Sequence, residues 1–325
     1  MNRNDGPGAG VTPYAIELAP PAIERWREGN REVEFIHSFE GPEPGPHVMV
    51  SAVVHGNEIC GAIALDRLLS DGLRPRAGRL TFAFANVEAY LRLDMARPDA
   101  FRFVDEDFNR VWSEEALDSA RDSVELRRAR QIRPVVDSVD LLLDLHSMQH
   151  PCVPLMMAGP TAKGLRLARE VGYPATVVCD AGHKAGRRMR DYAAFSDEAS
   201  PKNALLVECG QHYEGAADGV ALETVLRFLA VTGSLEAGVL ADYGVTGTPP
   251  PQKVIQVTDA VTIRNESFRF LEDYRGLEVI PKAGTVLAED GDQTVTTPYD
   301  DCVLIMPTRR VRPGNTAVRL GRFLA

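Results

Sequence analysis

No stretch of this chain approaches the roughly 20 consecutive apolar residues of a membrane-spanning helix, so no membrane partner is expected. Residues 1–10 are rich in Gly, Asn and Asp and hold no apolar segment of signal-peptide type. They are expected to be disordered and the protein cytoplasmic. An excess of positive charge is also missing: 36 Lys and Arg stand against 46 Asp and Glu, a net charge of −10. That balance disfavours nucleic acid and anionic lipid as partners. Cysteines number five (Cys60, Cys152, Cys179, Cys209, Cys302), and none is paired as C-x-x-C. They read as free, buried thiols in a reducing compartment, and no His-based pattern supports a catalytic thiol. There is no internal repeat and no low-complexity segment. What is left, 325 residues at 44% apolar and 25% charged, describes a soluble globular protein with one large domain and a smaller one.

Short apolar runs at 48–54, 80–85, 139–145, 175–179 and 204–209 read as buried strands. Helical periodicity fills the intervals at 58–70, 113–132, 163–171 and 218–231. Strands of continuous rather than alternating hydrophobicity, separated by helices, predict an α/β sheet covered on both faces. The stretch Thr246-Gly247-Thr248-Pro249-Pro250-Pro251 reads as a linker. Short strands follow at 254–258, 261–264 and 302–306 among turn formers, so residues 1–245 are expected to form an α/β body and residues 250–325 a small C-terminal all-β domain.

Polar residues collect at the strand ends, where ligands bind in open α/β sheets. His55-Gly56-Asn57-Glu58 follows the first core strand. If a helix begins there, positions i and i+3 share a face and both side chains can meet one ion. Asp144-Leu145-His146-Ser147 closes a second strand and Glu208-Cys209-Gly210 a third. His55, Glu58 and His146 make a His₂Glu set of the kind that holds catalytic zinc with one position open for water. Zinc lowers the pKa of water towards ~7 and polarises a carbonyl. Glu208, alone at the end of an apolar strand, suits the general base that takes the water's proton. Asp144, two residues before His146 and on the same strand face, can accept the second ring N–H of that histidine. Between the two halves, Asn109 and Arg110 suit a substrate carboxylate, and Arg102 can stabilise an oxyanion.

Four ordered strings carry a resemblance: His55-Gly56-Asn57-Glu58, Arg102 seven residues before Asn109-Arg110, Asp144-Leu145-His146-Ser147, and Val207-Glu208-Cys209-Gly210. In order and spacing the chain resembles the succinylglutamate desuccinylase/aspartoacylase family of the zinc carboxypeptidase clan, closely over 48–210 and loosely beyond. The resemblance implies a zinc-carboxypeptidase-like mixed sheet flanked by helices, with a C-terminal β domain (250–325) capping the active site of a zinc hydrolase domain (1–245). It implies one Zn²⁺ per chain on His55, Glu58 and His146, Glu208 as base, and Arg102 polarising the amide carbonyl. Asn109 and Arg110 would hold a substrate carboxylate. The implied reaction is hydrolysis of the amide of a small N-acylated amino acid or related amine. A metallocarboxypeptidase acting on short peptides and a non-catalytic metal-binding protein are the alternatives, and self-association is left open.

Two departures bear on substrate. Ser196 stands where aspartoacylases carry an Arg, and Gln149 lies where succinylglutamate enzymes carry one. Arg187, Arg188 and Arg190 read as a basic surface loop rather than as a replacement cation. His37, His47 and His183 read as structural or surface residues, and His150 and His212 as supporting residues near the site.

Overall fold

The computed structural model describes residues 14–182 and 185–324. The expected disordered segment at 1–10 lies outside the described residues, as does His183. The first half of the sheet comprises β1 (Ile36–Glu40), β2 (Glu43–Ala52), β3 (Ala77–Phe84), β4 (Leu141–Met148), β5 (Leu155–Met157), β6 (Thr176–Cys179) and β7 (Asn203–Gln211). The helices are α1 (Ile59–Ser70), α2 (Val87–Leu91), α3 (Glu114–Leu117), α4 (Val124–Ser138), α5 (Ala162–Val171), α6 (Ala217–Val231) and α7 (Val239–Asp242). Beyond the linker come β8 (Lys253–Thr262), β9 (Arg269–Phe270), β10 (Val279–Ile280), β11 (Val286–Asp290), β12 (Gln293–Thr296), β13 (Cys302–Ile305) and β14 (Thr316–Phe323).

An eleven-stranded mixed sheet runs β1-β3-β2-β4-β7-β5-β6-β8-β14-β13-β10. The central neighbours β3, β2, β4 and β7 are parallel, whereas β1 and β5 run antiparallel to β3 and β7. Continuous hydrophobicity in β2 has its reason in two covered faces. Val48, Val50 and Ala52 pack with Leu65 and Leu68 of α1 and Leu226 and Leu229 of α6. Met49 packs on the other side with Leu126 and Ile132 of α4.

Residues beyond 250 lengthen this sheet. Strand β8 joins β6 in parallel, from Thr176↔Lys253 to Cys179↔Gln256, and β14, β13 and β10 follow antiparallel. A separate antiparallel sheet, β12-β11-β9, lies in the same region. The two short strands expected at 254–258 and 261–264 are the single strand β8, and β1, β5 and β14 were not anticipated.

The helix expected over 113–132 is broken into α3 and α4. Ser113 and Ser123 each cap a new N-terminus, accepting from Ala116 N and Leu126 N. Arg130 satisfies the carbonyls freed by the break, donating to Leu117 O, Ser119 O and Arg121 O. Periodicity alone does not see such caps. All five cysteines are free, and Cys152 is half-buried where the other four are buried. Among the described residues no helix is long and apolar enough to cross a membrane.

Candidate metal centre

Strands β2, β4 and β7 are adjacent, so the polar residues at their carboxyl ends meet. Past Ala52 the chain leaves the sheet at Val53, whose φ of +53° is rare for a β-branched residue. Two backbone bonds hold it there: Ala85 N to Ala52 O (2.9 Å) and Asn86 N to Val53 O (3.0 Å). The turn delivers His55, and Glu58 then caps α1. Gly56 lies where the loop presses on its neighbours. Its N–H donates to Arg102 O at 3.0 Å, and a Cβ there would come within 2.5 Å of Phe101 O and of the Ala89 carbonyl carbon. Gly56→Ala is therefore expected to destabilise the protein by about 1–3 kcal/mol and to weaken metal uptake by moving Arg102 and Glu58 apart. Thermal unfolding and a metal titration check this; wild-type values in both would refute the close packing.

His55 Nδ1 lies 2.7 Å from Glu58 Oε1, and His146 Nδ1 lies 2.8 Å from Glu58 Oε2. One atom from each of the three residues falls within 4.8 Å of the others, and all three residues are buried. Each ring offers its remaining nitrogen to a carboxylate: His55 Nε2 to Asp107 Oδ1 (3.0 Å) and His146 Nε2 to Asp144 Oδ2 (2.8 Å). His55 Nε2 also lies 2.8 Å from Arg102 Nη2; with the ring N–H turned to the carboxylate, Nδ1 is free to take a metal in both rings. The donor set therefore fits a zinc-type dication, and cobalt or nickel suits it as well.

The charges are tightly coupled. Burial alone would raise the Glu58 carboxyl, but His55 and His146 outweigh it and hold the group well below the usual range. Burial disfavours a charged His146, yet Asp144 and Glu58 raise it well above an ordinary imidazole. Asp107, also opposed by burial, is held low by His55, Arg102 and Arg110. Glu208 behaves differently. It is the parallel-strand partner of His146 and buried, with Oε2 lacking a hydrogen-bond partner among the described residues. Burial pushes its carboxyl up to about 8; His146 pulls it down, and Glu58 adds to the rise.

The loop carrying Arg102 to Arg110 is shaped from behind. Glu125, fully buried at the start of α4, accepts from Val104 N, Asp105 N and Glu106 N and from Asn86 Nδ2. Arg102 then reaches Glu58 Oε1 (3.0 Å) and Asp107 Oδ2 (3.3 Å). Asn109 is oriented by Met189 N donating to its Oδ1 at 2.7 Å, and its Nδ2 lies 3.3 Å from His146 Nε2. The Arg110 guanidinium donates to Asn109 O and stands 3.9 Å from Asp107. Burial lowers its pKa to about 10, and Asp107 offsets only part of that against Arg102, Arg188 and Arg319. A guanidinium so poorly compensated suits an anionic partner.

All eight residues singled out from the sequence thus meet in one place: His55, Glu58, Arg102, Asn109, Arg110, Asp144, His146 and Glu208. The basic surface loop does not hold up for two of its three arginines. Arg187 is exposed, whereas Arg188 and Arg190 are buried. Arg188 forks onto Asp180 and Asp191 (2.7 and 2.5 Å), and Arg190 pairs with Asp191 and donates to Ala158 O and Ala204 O. This cluster fixes the segment that presents Met189 N to Asn109. Ser196 bonds its own turn at Ala193 O. His212 sits behind the metal ligands with Nδ1 2.8 Å from Ser147 Oγ, and burial holds it at about 3, hence neutral. His37 and His47 bond Trp26 O and Thr81 on the far side of the sheet, and His150 bonds the Tyr14 hydroxyl. Sequence reading missed Asp107, Glu125 and the Asp180–Arg188 pair. Only Asp107 left a signal, as the cap two residues before Asn109.

Comparison with known proteins agrees with this picture. The family model for the succinylglutamate desuccinylase/aspartoacylase catalytic domain matches residues 44–230. A succinylglutamate desuccinylase of Burkholderia lata is 25% identical over 288 residues, 82% of this chain and 76% of that protein. Among solved structures, the succinylglutamate desuccinylase of Vibrio cholerae superposes with a TM-score of 0.68 at 17% identity, covering 90% of this chain and 86% of that one. The Vibrio parahaemolyticus enzyme gives 0.66 at 18% identity, covering 90% and 87%. At such identities the structures speak to the fold.

Proposed function

We propose, since the chain belongs to the succinylglutamate desuccinylase/aspartoacylase family of deacylases, that it hydrolyses the amide of a small N-acylated amino acid or related amine with one zinc ion per chain. The observation that carries this reading is the buried His55–Glu58–His146 cluster with Glu208 beside His146 and Arg102 against Glu58. His55, Glu58 and His146 would hold the ion, which when bound polarises the carbonyl and lowers the pKa of water. Asp107 and Asp144 keep the two imidazoles in the ligating tautomer.

The chain's own residues supply the remaining chemistry. Glu208 takes the proton of the attacking water and delivers it to the departing amine nitrogen, one carboxyl serving both steps. Arg102 donates to the oxygen that becomes negative as the carbonyl carbon turns tetrahedral. Asn109 and Arg110 grip a carboxylate on the amine half and so set the scissile bond against Glu208. The region beyond 250 would cap the mouth, a reading supported by Arg310 near Asp99 and Arg319 near Asp180.

A screen of N-acetyl, N-succinyl and N-formyl amino acids and diamines, with dipeptides alongside and with and without chelator, tests the reading. Chelator-sensitive release of free amine supports it; cleavage of dipeptides alone would turn it into a carboxypeptidase. The pH profile is a second test. Glu208 works as a base only when deprotonated, and in the metal-free protein its carboxyl lies at about 8. A bound dication favours the carboxylate and lowers that value. The expected kcat/KM therefore falls about tenfold per pH unit on the acid side of one ionisation, lying between the ordinary carboxyl range and about 8. A profile flat down to pH ~4 would remove Glu208 as the base.

A further inference from the structure

The site has a second cation at its mouth, supplied by the C-terminal region. Arg310 lies in the loop between β13 and β14, rooted by Thr308 N donating to Ala317 O (2.7 Å) and by Arg310 N donating to Thr308 Oγ1 (3.1 Å). Its guanidinium stands 3.6 Å from Asp99 Oδ1, and the two side chains are 42% and 45% exposed. That separation is an ion pair rather than a hydrogen bond. Asp99 divides itself further, since Gln149 Nε2 donates to its other oxygen at 3.4 Å. Towards the interior Arg310 faces Arg102 and Glu58: burial and the Arg102 charge lower its pKa, and Asp99 offsets only part of this. Arg309 beside it is already engaged with Asp273. Arg310 is thus a cation held loosely at the mouth, within electrostatic reach of the metal-binding carboxylate.

Arg110 and Arg310 belong to different surroundings. Arg110 lies among Asp107, Arg188 and Arg319, Arg310 lies by Asp99 and Tyr213, and Arg102 acts on both. A substrate whose carbonyl is held at Arg102, with its amine-side carboxylate on Arg110, directs its acyl end towards Arg310. We propose that Arg310 is a specificity-determining residue that takes an anionic group at the acyl end of the substrate, and that Asp99 stands in for this anion in the free protein. An incoming carboxylate offers the guanidinium two parallel hydrogen bonds, which Asp99 at 3.6 Å does not. Asp99 is then a competitor, and the two residues have opposite effects on selectivity.

The proposal rests on the deacylase reading for its substrate, but binding measures it separately. Calorimetry on zinc-supplemented protein compares succinate with butyrate, which differ by one carboxylate, and KM is compared for N-succinyl and N-butyryl forms of one amino acid. Wild type is expected to prefer the diacid. Arg310→Ala lowers that preference about tenfold or more, Arg310→Lys recovers part of it, and Asp99→Asn raises it. A preference retained in Arg310→Ala overturns the assignment. So does a preference that falls in Asp99→Asn, because loop packing rather than competition would then be at work. Wild-type protein that hydrolyses no N-acyl amino acid yet still prefers succinate, with Arg310→Ala losing the preference, sinks the deacylase reading and leaves the Arg310 assignment standing.

Discussion

Replacing Glu208 by glutamine is expected to lower kcat by about 10²–10⁴-fold while the protein still takes up its metal. Glutamine keeps the volume and one acceptor oxygen but neither accepts nor returns a proton at the pH of the assay. The structure gives Glu208 the two properties a base needs. Its place opposite His146 in the β4–β7 ladder fixes it beside the candidate metal-binding cluster of His55, Glu58 and His146. Its buried Oε2 has no side-chain or backbone partner among the described residues, and burial has moved its pKa from 4.5 to about 8, towards the value that suits proton transfer near neutrality. Elemental analysis and steady-state kinetics on one preparation decide the matter. Normal metal content with kcat within about threefold of wild type would remove the role; lost metal would instead move Glu208 into the ligand set.

Replacing His146 by alanine should act on both metal and fold. The ring offers Nδ1 towards Glu58 and Nε2 to Asp144; Asp144 is wholly buried and Glu58 nearly so. Without the ring and without metal, buried Asp144 loses the imidazole it is paired with, and Glu58 is left to His55 and Arg102. Loss of one partner from such an arrangement costs about 3–5 kcal/mol. The expected variant therefore has a metal-to-protein ratio near zero and a clearly lowered unfolding midpoint. Asp144→Asn separates the two effects: it keeps the ligand and weakens the metal about 10–100-fold. A His146→Ala protein that is metal-replete would withdraw the residue from the centre.

The same residues show why the site was largely legible before the fold was known. Asp144 and His146 are two apart, so the strand period alone decides that they share a face; His55 and Glu58, expected on one helix face, instead lie in the turn before α1, where Glu58 N donates to His55 O at 3.1 Å. Apolar runs mark where the strands end, and the strand ends are where the side chains emerge. Asp107 was passed over although it is the carboxylate on His55 Nε2. It sits in an irregular loop whose path is set by Glu125, some twenty residues on, and no period links the two. Arg188 and Arg190 were misjudged for a related reason. Three arginines in four residues look solvated; the neighbouring Asp191, Asp180 eight residues back, and the carbonyls of Ala158 and Ala204 from other segments make the burial of two of them tolerable.

By itself the sequence determined the α/β class and singled out the residues proposed as metal ligands, base and carboxylate-binding pair, because each is read from local spacing and from hydrophobic runs that end abruptly. The tertiary structure decided how those groups are charged and what surrounds them. It brought Asp107 behind His55, Glu125 behind the Arg102 loop, Arg188 into the interior and Arg310 to Asp99. These are contacts between segments far apart in the chain, made by loops without periodicity. Their geometry depends on packing and on the compensation of buried charge, which no local pattern encodes.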